Sequence, residues 1–132
     1  LLRNLRDEGK MIKILIVDDD EDILVTIKYG LENINNEYKI KTAKNGSECL
    51  SLLNEEIPDL ILLDLMMPNM NGWQILEIIL GKPKWRDIPV FIITGASNHE
   101  FKKQAENLGI TYIEKPFDMD MVDGLITNLL NK

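Results

Sequence analysis

Leu60-Ile61-Leu62-Leu63-Asp64-Leu65-Met66-Met67-Pro68 runs four apolar residues straight into a carboxylate, and turn formers follow at once. An apolar run of this length with a proline close behind predicts a buried parallel strand over Leu60–Leu63, apolar on both faces. Asp64 then stands where the chain leaves the sheet. Burying a carboxylate for structure alone is costly, so an acid at that point calls for a chemical reason.

Working outward, the same pattern recurs. Ile12–Val17 is an apolar, β-branched run and reads as strand one. It ends in Asp18-Asp19-Asp20-Glu21-Asp22, the densest acidic run in the chain. Acids at Asp20 to Asp22 suit the first turn of a helix, whose free N–H groups carry partial positive charge. That helix carries Ile23, Ile27, Leu31 and Ile34 on one stripe, and Asn35-Asn36 closes it. Tyr38–Ala43 alternates Tyr38, Ile40 and Thr42 with Lys39 and Lys41, as a half-exposed strand near a sheet edge does. Asn45-Gly46-Ser47-Glu48 opens a second helix with a capping-box spacing, Leu50 and Leu53 facing inward. Pro58 ends that connection.

Beyond the opening stretch, Met67-Pro68-Asn69-Met70-Asn71-Gly72 is a turn-rich loop. A third helix follows, with Ile75, Leu76, Ile79 and Leu80 on one side, and then a loop over Gly81 to Asp87. Pro89–Ile93 is strand four, and Thr94-Gly95-Ala96-Ser97-Asn98 follows it. A fourth helix spaces Phe101, Ala105 and Leu108 until Gly109 stops it. Thr111–Ile113 is strand five, followed by Glu114-Lys115-Pro116-Phe117. Asp118 caps a last helix whose stripe is Val122, Leu125, Ile126 and Leu129. Five strands alternating with five helices predict an α/β fold with a parallel sheet and helices on both faces.

The totals narrow the function. The chain has 132 residues, enough for one domain with a real core. With 45% hydrophobic and 28% charged residues it has the make-up of a soluble globular protein. A net charge of -7 argues against nucleic-acid binding by this domain, which needs a basic face. A single cysteine, Cys49, excludes an internal disulfide and a cysteine-based zinc site, and the cytoplasm is the default compartment. No apolar run approaches the ~20 residues of a membrane span. Leu1 to Lys10 is short and mostly polar, unlike a signal peptide. Met11 reads as a natural start or domain edge, residues 1–10 as a linker or appended remnant, and 11–132 as the domain.

In folds of this class, ligands sit at the carboxyl ends of the strands. Asp18 and Asp19 end strand one, Asp64 strand three, Thr94 strand four and Lys115 strand five. Three carboxylates side by side need a cation. Oxygen-only ligands without His or Cys favour a hard ion, and Mg²⁺ takes few protein ligands and keeps its waters. Asp64 can attack phosphorus as a carboxylate. Mg²⁺ and Lys115 would neutralise charge on the phosphoryl oxygens, and the Thr94 hydroxyl could donate a hydrogen bond.

These residues resemble the receiver domain of two-component response regulators. The matching stretches are Val17-Asp18-Asp19, Asp64 with Met67-Pro68-Asn69-Met70-Asn71-Gly72, Thr94, and Lys115-Pro116-Phe117, at fitting spacings over about residues 11 to 132. The resemblance implies a flavodoxin-like three-layer sandwich with strand order 2-1-3-4-5. It implies that Asp64 becomes an aspartyl phosphate, taking the phosphoryl group from a sensor histidine kinase or a phosphotransfer protein, and that the group is slowly lost again. Asp19, Asp64 and the Met66 backbone carbonyl would hold Mg²⁺, with Asp18 acting through a bound water. Lys115 would contact the phosphate across a cis Lys115–Pro116 peptide. Thr94 would move toward the phosphoryl group and Tyr112 swing inward, remodelling the surface of helix four, strand five and helix five. The downstream effector stays open, as does a homodimer through that surface. Asn71 departs from the family's usual Asp, and Gly95 from its usual Ala.

Plainer roles stand beside these. Asp18-Asp19-Asp20 alone would be a solvated helix start, Thr94 a turn cap, Lys115 an exposed lysine and Tyr112 a packing residue. Met66, Met67 and Met70 read as gap-fillers, His99 as surface, Cys49 as a small buried hydrophobe, and Trp73 and Trp85 as cover for the edge of helix three. Two other classes compete: a Mg²⁺-dependent phosphatase of haloacid-dehalogenase type, and a pseudo-receiver serving only as an interaction module. The first needs an acid where Met66 stands; the second fits poorly with a complete set of site residues.

Overall fold

The computed structural model describes residues 11–65, 67, 71–95, 99–115 and 117–130. Five strands, β1 (Ile12–Val17), β2 (Tyr38–Ala43), β3 (Leu60–Leu63), β4 (Val90–Thr94) and β5 (Thr111–Glu114), alternate with five helices. These are α1 (Glu21–Ile34), α2 (Gly46–Glu55), α3 (Gly72–Gly81), α4 (His99–Asn107) and α5 (Met119–Leu130). All neighbouring strands pair in parallel, in the order β2-β1-β3-β4-β5. The alternation predicts the parallel sheet, and the strand order is the flavodoxin-like one that the receiver resemblance implies.

The central strand explains its own composition. Ile61 and Leu63 pack into a core with α2, α3 and α4, through Leu53, Ile75, Leu76, Ile79 and Ala105. Leu60 and Leu62 pack into a second core with α1 and α5, through Leu24, Ile27, Leu31, Val122 and Ile126. A strand with a core on each side must be apolar at every position. Each such side chain contributes roughly 1.5–3 kcal/mol by leaving water.

Several local expectations shift. In α1 it is Leu24, with Ile27 and Leu31, that is buried, whereas Ile34 is 38% exposed. Ile34 lies in the last turn, where the chain already bends toward β2. Thr42 is exposed although it shares a side of β2 with Tyr38 and Ile40, because it borders an open hollow beside Leu24, Val25 and Glu48. The capping box of α2 is only half formed: Asn45 accepts from the Glu48 N–H, but Glu48 accepts from Lys44 rather than Asn45. The full box belongs to α3, between Asn71 and Gln74. Leu80 and Leu108 are exposed, at 37% and 52%. Trp85, expected as edge cover, is fully inside the core with Lys82 and Lys84 over its ring. Cys49 is buried and His99 exposed, as expected. Asp118 accepts from the Asp120 N–H at the start of α5.

Candidate functional site

The strand register gathers the site. β1 and β3 end level, with Val17 opposite Leu63. The parallel ladder then continues one step beyond the strands: the Asp64 N–H donates to the Val17 carbonyl, and the Asp18 N–H to that of Ala43. On the other side, Thr94 pairs with Glu114, and the Lys115 N–H donates to the Thr94 carbonyl at 2.9 Å. Backbone bonds therefore place Asp18, Asp64, Thr94 and Lys115 before any side chain is considered.

The side chains then converge. One carboxylate oxygen from each of Asp18, Asp19 and Asp64 lies within 4.8 Å of the other two. Asp18 and Asp64 are buried, while Asp19 is exposed. Asp18 uses one oxygen to accept from the Asp20 N–H at 2.9 Å and the other to meet the Lys115 ammonium at 2.7 Å. Lys115 stands 3.9 Å from Asp64. Three carboxylates thus converge where Lys115 brings a single positive charge. The donors of the cluster are all hard oxygens, one of them open to water. That is the donor set a divalent ion such as Mg²⁺ takes.

The structure thus brings together four of the expected residues, Asp18, Asp19, Asp64 and Lys115. Thr94 is fully buried at the end of β4, next to Lys115 in the ladder. Tyr112 is half-buried on β5 and packs against the core shared by α2, α3 and α4. The Met66 carbonyl and the Lys115–Pro116 peptide involve residues outside those described, as do Ala96 and the loop residues Pro68 to Met70.

Two residues have roles finer than the sequence reading assigned them. A Cβ on Gly72 would lie 1.9 Å from the Asp64 carbonyl oxygen, and the Gly72 N–H donates to Leu65 at 2.7 Å. The first turn of α3 is therefore pressed against the backbone that carries Asp64. The only signal was the glycine closing the Met67–Gly72 turn. The second is Asp20, which caps α1 by accepting from the Asp22 and Ile23 N–H groups, so the acidic run divides between capping and the site.

Residues 14–127 match the model of the response regulator receiver domain, and the chain belongs to that family. It is 36% identical over 121 residues to a "probable cyclic di-GMP phosphodiesterase" of Vibrio cholerae, covering 90% of this chain and 27% of that protein. It is 28% identical over 120 residues to response regulator Rre1 of Synechocystis, covering 90% of this chain and 52% of that one. The chain thus spans about a quarter to a half of these curated relatives. Among solved structures, the signal receiver domain of a DNA-binding response regulator from Colwellia psychrerythraea aligns with a TM-score of 0.84 at 32% identity, covering 92% of this chain and 99% of that one. Among the described residues no helix is long and apolar enough to cross a membrane.

Proposed function

We propose that this receiver domain is a phosphoacceptor switch and that Asp64 is the acceptor. The observation that carries the reading is Lys115, poised between Asp18 and Asp64 beside three converging carboxylates. An Asp64 oxygen forms a bond to phosphorus while the P–N bond of a donor phosphohistidine breaks, and the imidazole leaves with the electron pair and takes up a proton. Receiver family membership points to a histidine kinase or a phosphotransfer protein as the donor.

Asp19, Asp64 and the Met66 carbonyl would hold Mg²⁺, with Asp18 acting through a water. The bound ion would supply positive charge for the phosphoryl oxygens. Lys115 supplies a mobile ammonium to the same oxygens and exchanges Asp18 for the phosphoryl group. Thr94 donates its hydroxyl, and Tyr112 repacks on β5 in response. The result is a changed surface over α4, β5 and α5, read by an effector or a second copy. Met66 carries no acid to move a proton, which weighs against phosphatase turnover.

Intact-mass analysis after incubation with acetyl phosphate and Mg²⁺ tests the reading. One labile phosphoryl group is expected on the wild type and none on Asp64→Asn. Equal labelling of the two would remove Asp64 from the mechanism.

A further inference from the structure

The helix α4 is held unlike the others. It is the most polar of the five, and Ala105 is the one buried side chain among its nine residues. Gln104 keeps a buried side-chain oxygen that has no hydrogen-bond partner among the described residues. The ion pair from Lys102 to Glu114 is long, 3.9 Å, and exposed. Beside Ala105, the contact that ties α4 to the rest of the core is aromatic. Phe101, in the first turn of α4, lies flat on Trp73, with centroids 5.6 Å apart and planes 11° from parallel. Trp73 is the second residue of α3, directly after the Gly72 that is pressed on the Asp64 carbonyl. A short physical path therefore joins Asp64, Gly72, Trp73 and Phe101.

We propose that the Trp73–Phe101 stack is a latch fastening the first turn of α4 to α3, and that loading Asp64 with a phosphoryl group opens it. The proposal rests on the phosphoacceptor reading. A stacked aromatic pair adds only modestly to the area it buries. It can therefore bias α4 toward one position without locking it there. Gly72 leaves no slack between the Asp64 backbone and α3, so a shift at Asp64 reaches Trp73 directly. Polar α4 is the element with least to lose on release; α1, α3 and α5 each bury an apolar stripe.

Two measurements on the full chain test this. Amide exchange in Phe101→Leu, which keeps most of the volume and loses the stack, should quicken roughly tenfold along α4 and stay unchanged in α3 and α5. Wild-type rates in α4 would overturn the latch, and so would a rise spread evenly over the chain. In 5-fluorotryptophan-labelled protein, the ¹⁹F resonance of Trp73, assigned by Trp73→Phe, should shift in proportion to acetyl phosphate labelling. That of buried Trp85 should hold. Labelling without a Trp73 shift would overturn the latch and leave the acceptor intact. Absence of labelling would overturn the acceptor reading, and with it the latch.

Discussion

At the scale of the residue, the sharpest constraint is a missing side chain. A Cβ at Gly72 would meet the Asp64 carbonyl at 1.9 Å, and a backbone oxygen cannot swing aside. Gly72→Ala must move either α3 or the end of β3. It should lower stability by about 1–3 kcal/mol, by analogy with overpacked cores, read as a fall in the thermal midpoint. It should also slow labelling of Asp64, because the acceptor moves with its backbone. Tyr38 offers a different residue-scale test. Its ring is buried, and its hydroxyl donates to Asp123 at 2.5 Å. Burial first, and the Asp123 carboxylate second, hold its hydroxyl well above the ordinary tyrosine range. The folded state then keeps a proton that the unfolded chain gives up near pH ~10. This contribution is complete below that pH and is lost as the pH rises above it. Urea unfolding between pH 9 and 11 should show stability falling in the wild type and a much shallower fall in Tyr38→Phe. The aspartates of the site were legible because their chemistry needs their charge. Gly72 was legible only as a turn residue, since what it avoids touching is far away in sequence.

Elements were easiest to read where two cores determine them. β3 and the inner positions of α3 and α5 follow from burial periodicity, whereas in α1 Ile27 and Leu31 are buried as expected but Leu24 takes the place of Ile23. The misreadings fall at ends and edges, at Ile34, Leu80 and Leu108, where helical spacing continues but the cover stops. Trp85 was misplaced for the opposite reason. A tryptophan between Lys84 and Arg86 looks like surface, yet its ring is buried with Lys82 and Lys84 over it, long side chains that can cover an aromatic face while keeping their charge near water. The end of α2 shows another limit. This helix has no basic residue in its last turn, but Lys13 and Lys41, from β1 and β2, reach its C-cap residue Glu56 at 3.0 and 3.6 Å. The hydrogen bond and charge of Lys13, then the charges of Lys41 and Lys39, hold the Glu56 carboxyl below its usual range. Alternation along β2 showed that Lys39 and Lys41 point away from one face, but not that Lys41 and the Lys13 of β1 converge on a helix end.

For the whole molecule, the question is what balances the charge at the carboxyl edge of the sheet. Asp18, Asp19 and Asp64 converge, Lys115 pairs with Asp18 at 2.7 Å, and the chain as a whole carries a net charge of -7. Folding therefore brings Asp64 against the adjacent pair Asp18-Asp19, so a cation bound only by the folded state must stabilise it. At a Mg²⁺ concentration ten times its dissociation constant, the linkage is worth about 1.4 kcal/mol, and the thermal midpoint should rise by about 4–7 °C in a domain of this size. The same argument fixes the sign for a variant. Asp64→Asn removes one of the repelling charges, so its midpoint without Mg²⁺ should lie at or above that of the wild type, and its rise with Mg²⁺ should shrink or vanish. Differential scanning fluorimetry of both proteins, with NaCl matching the ionic strength, separates site binding from general screening. An equal rise in both, or none in the wild type at millimolar Mg²⁺, would mean that the three carboxylates do not form an ion site and that Lys115 alone holds the charge of this edge.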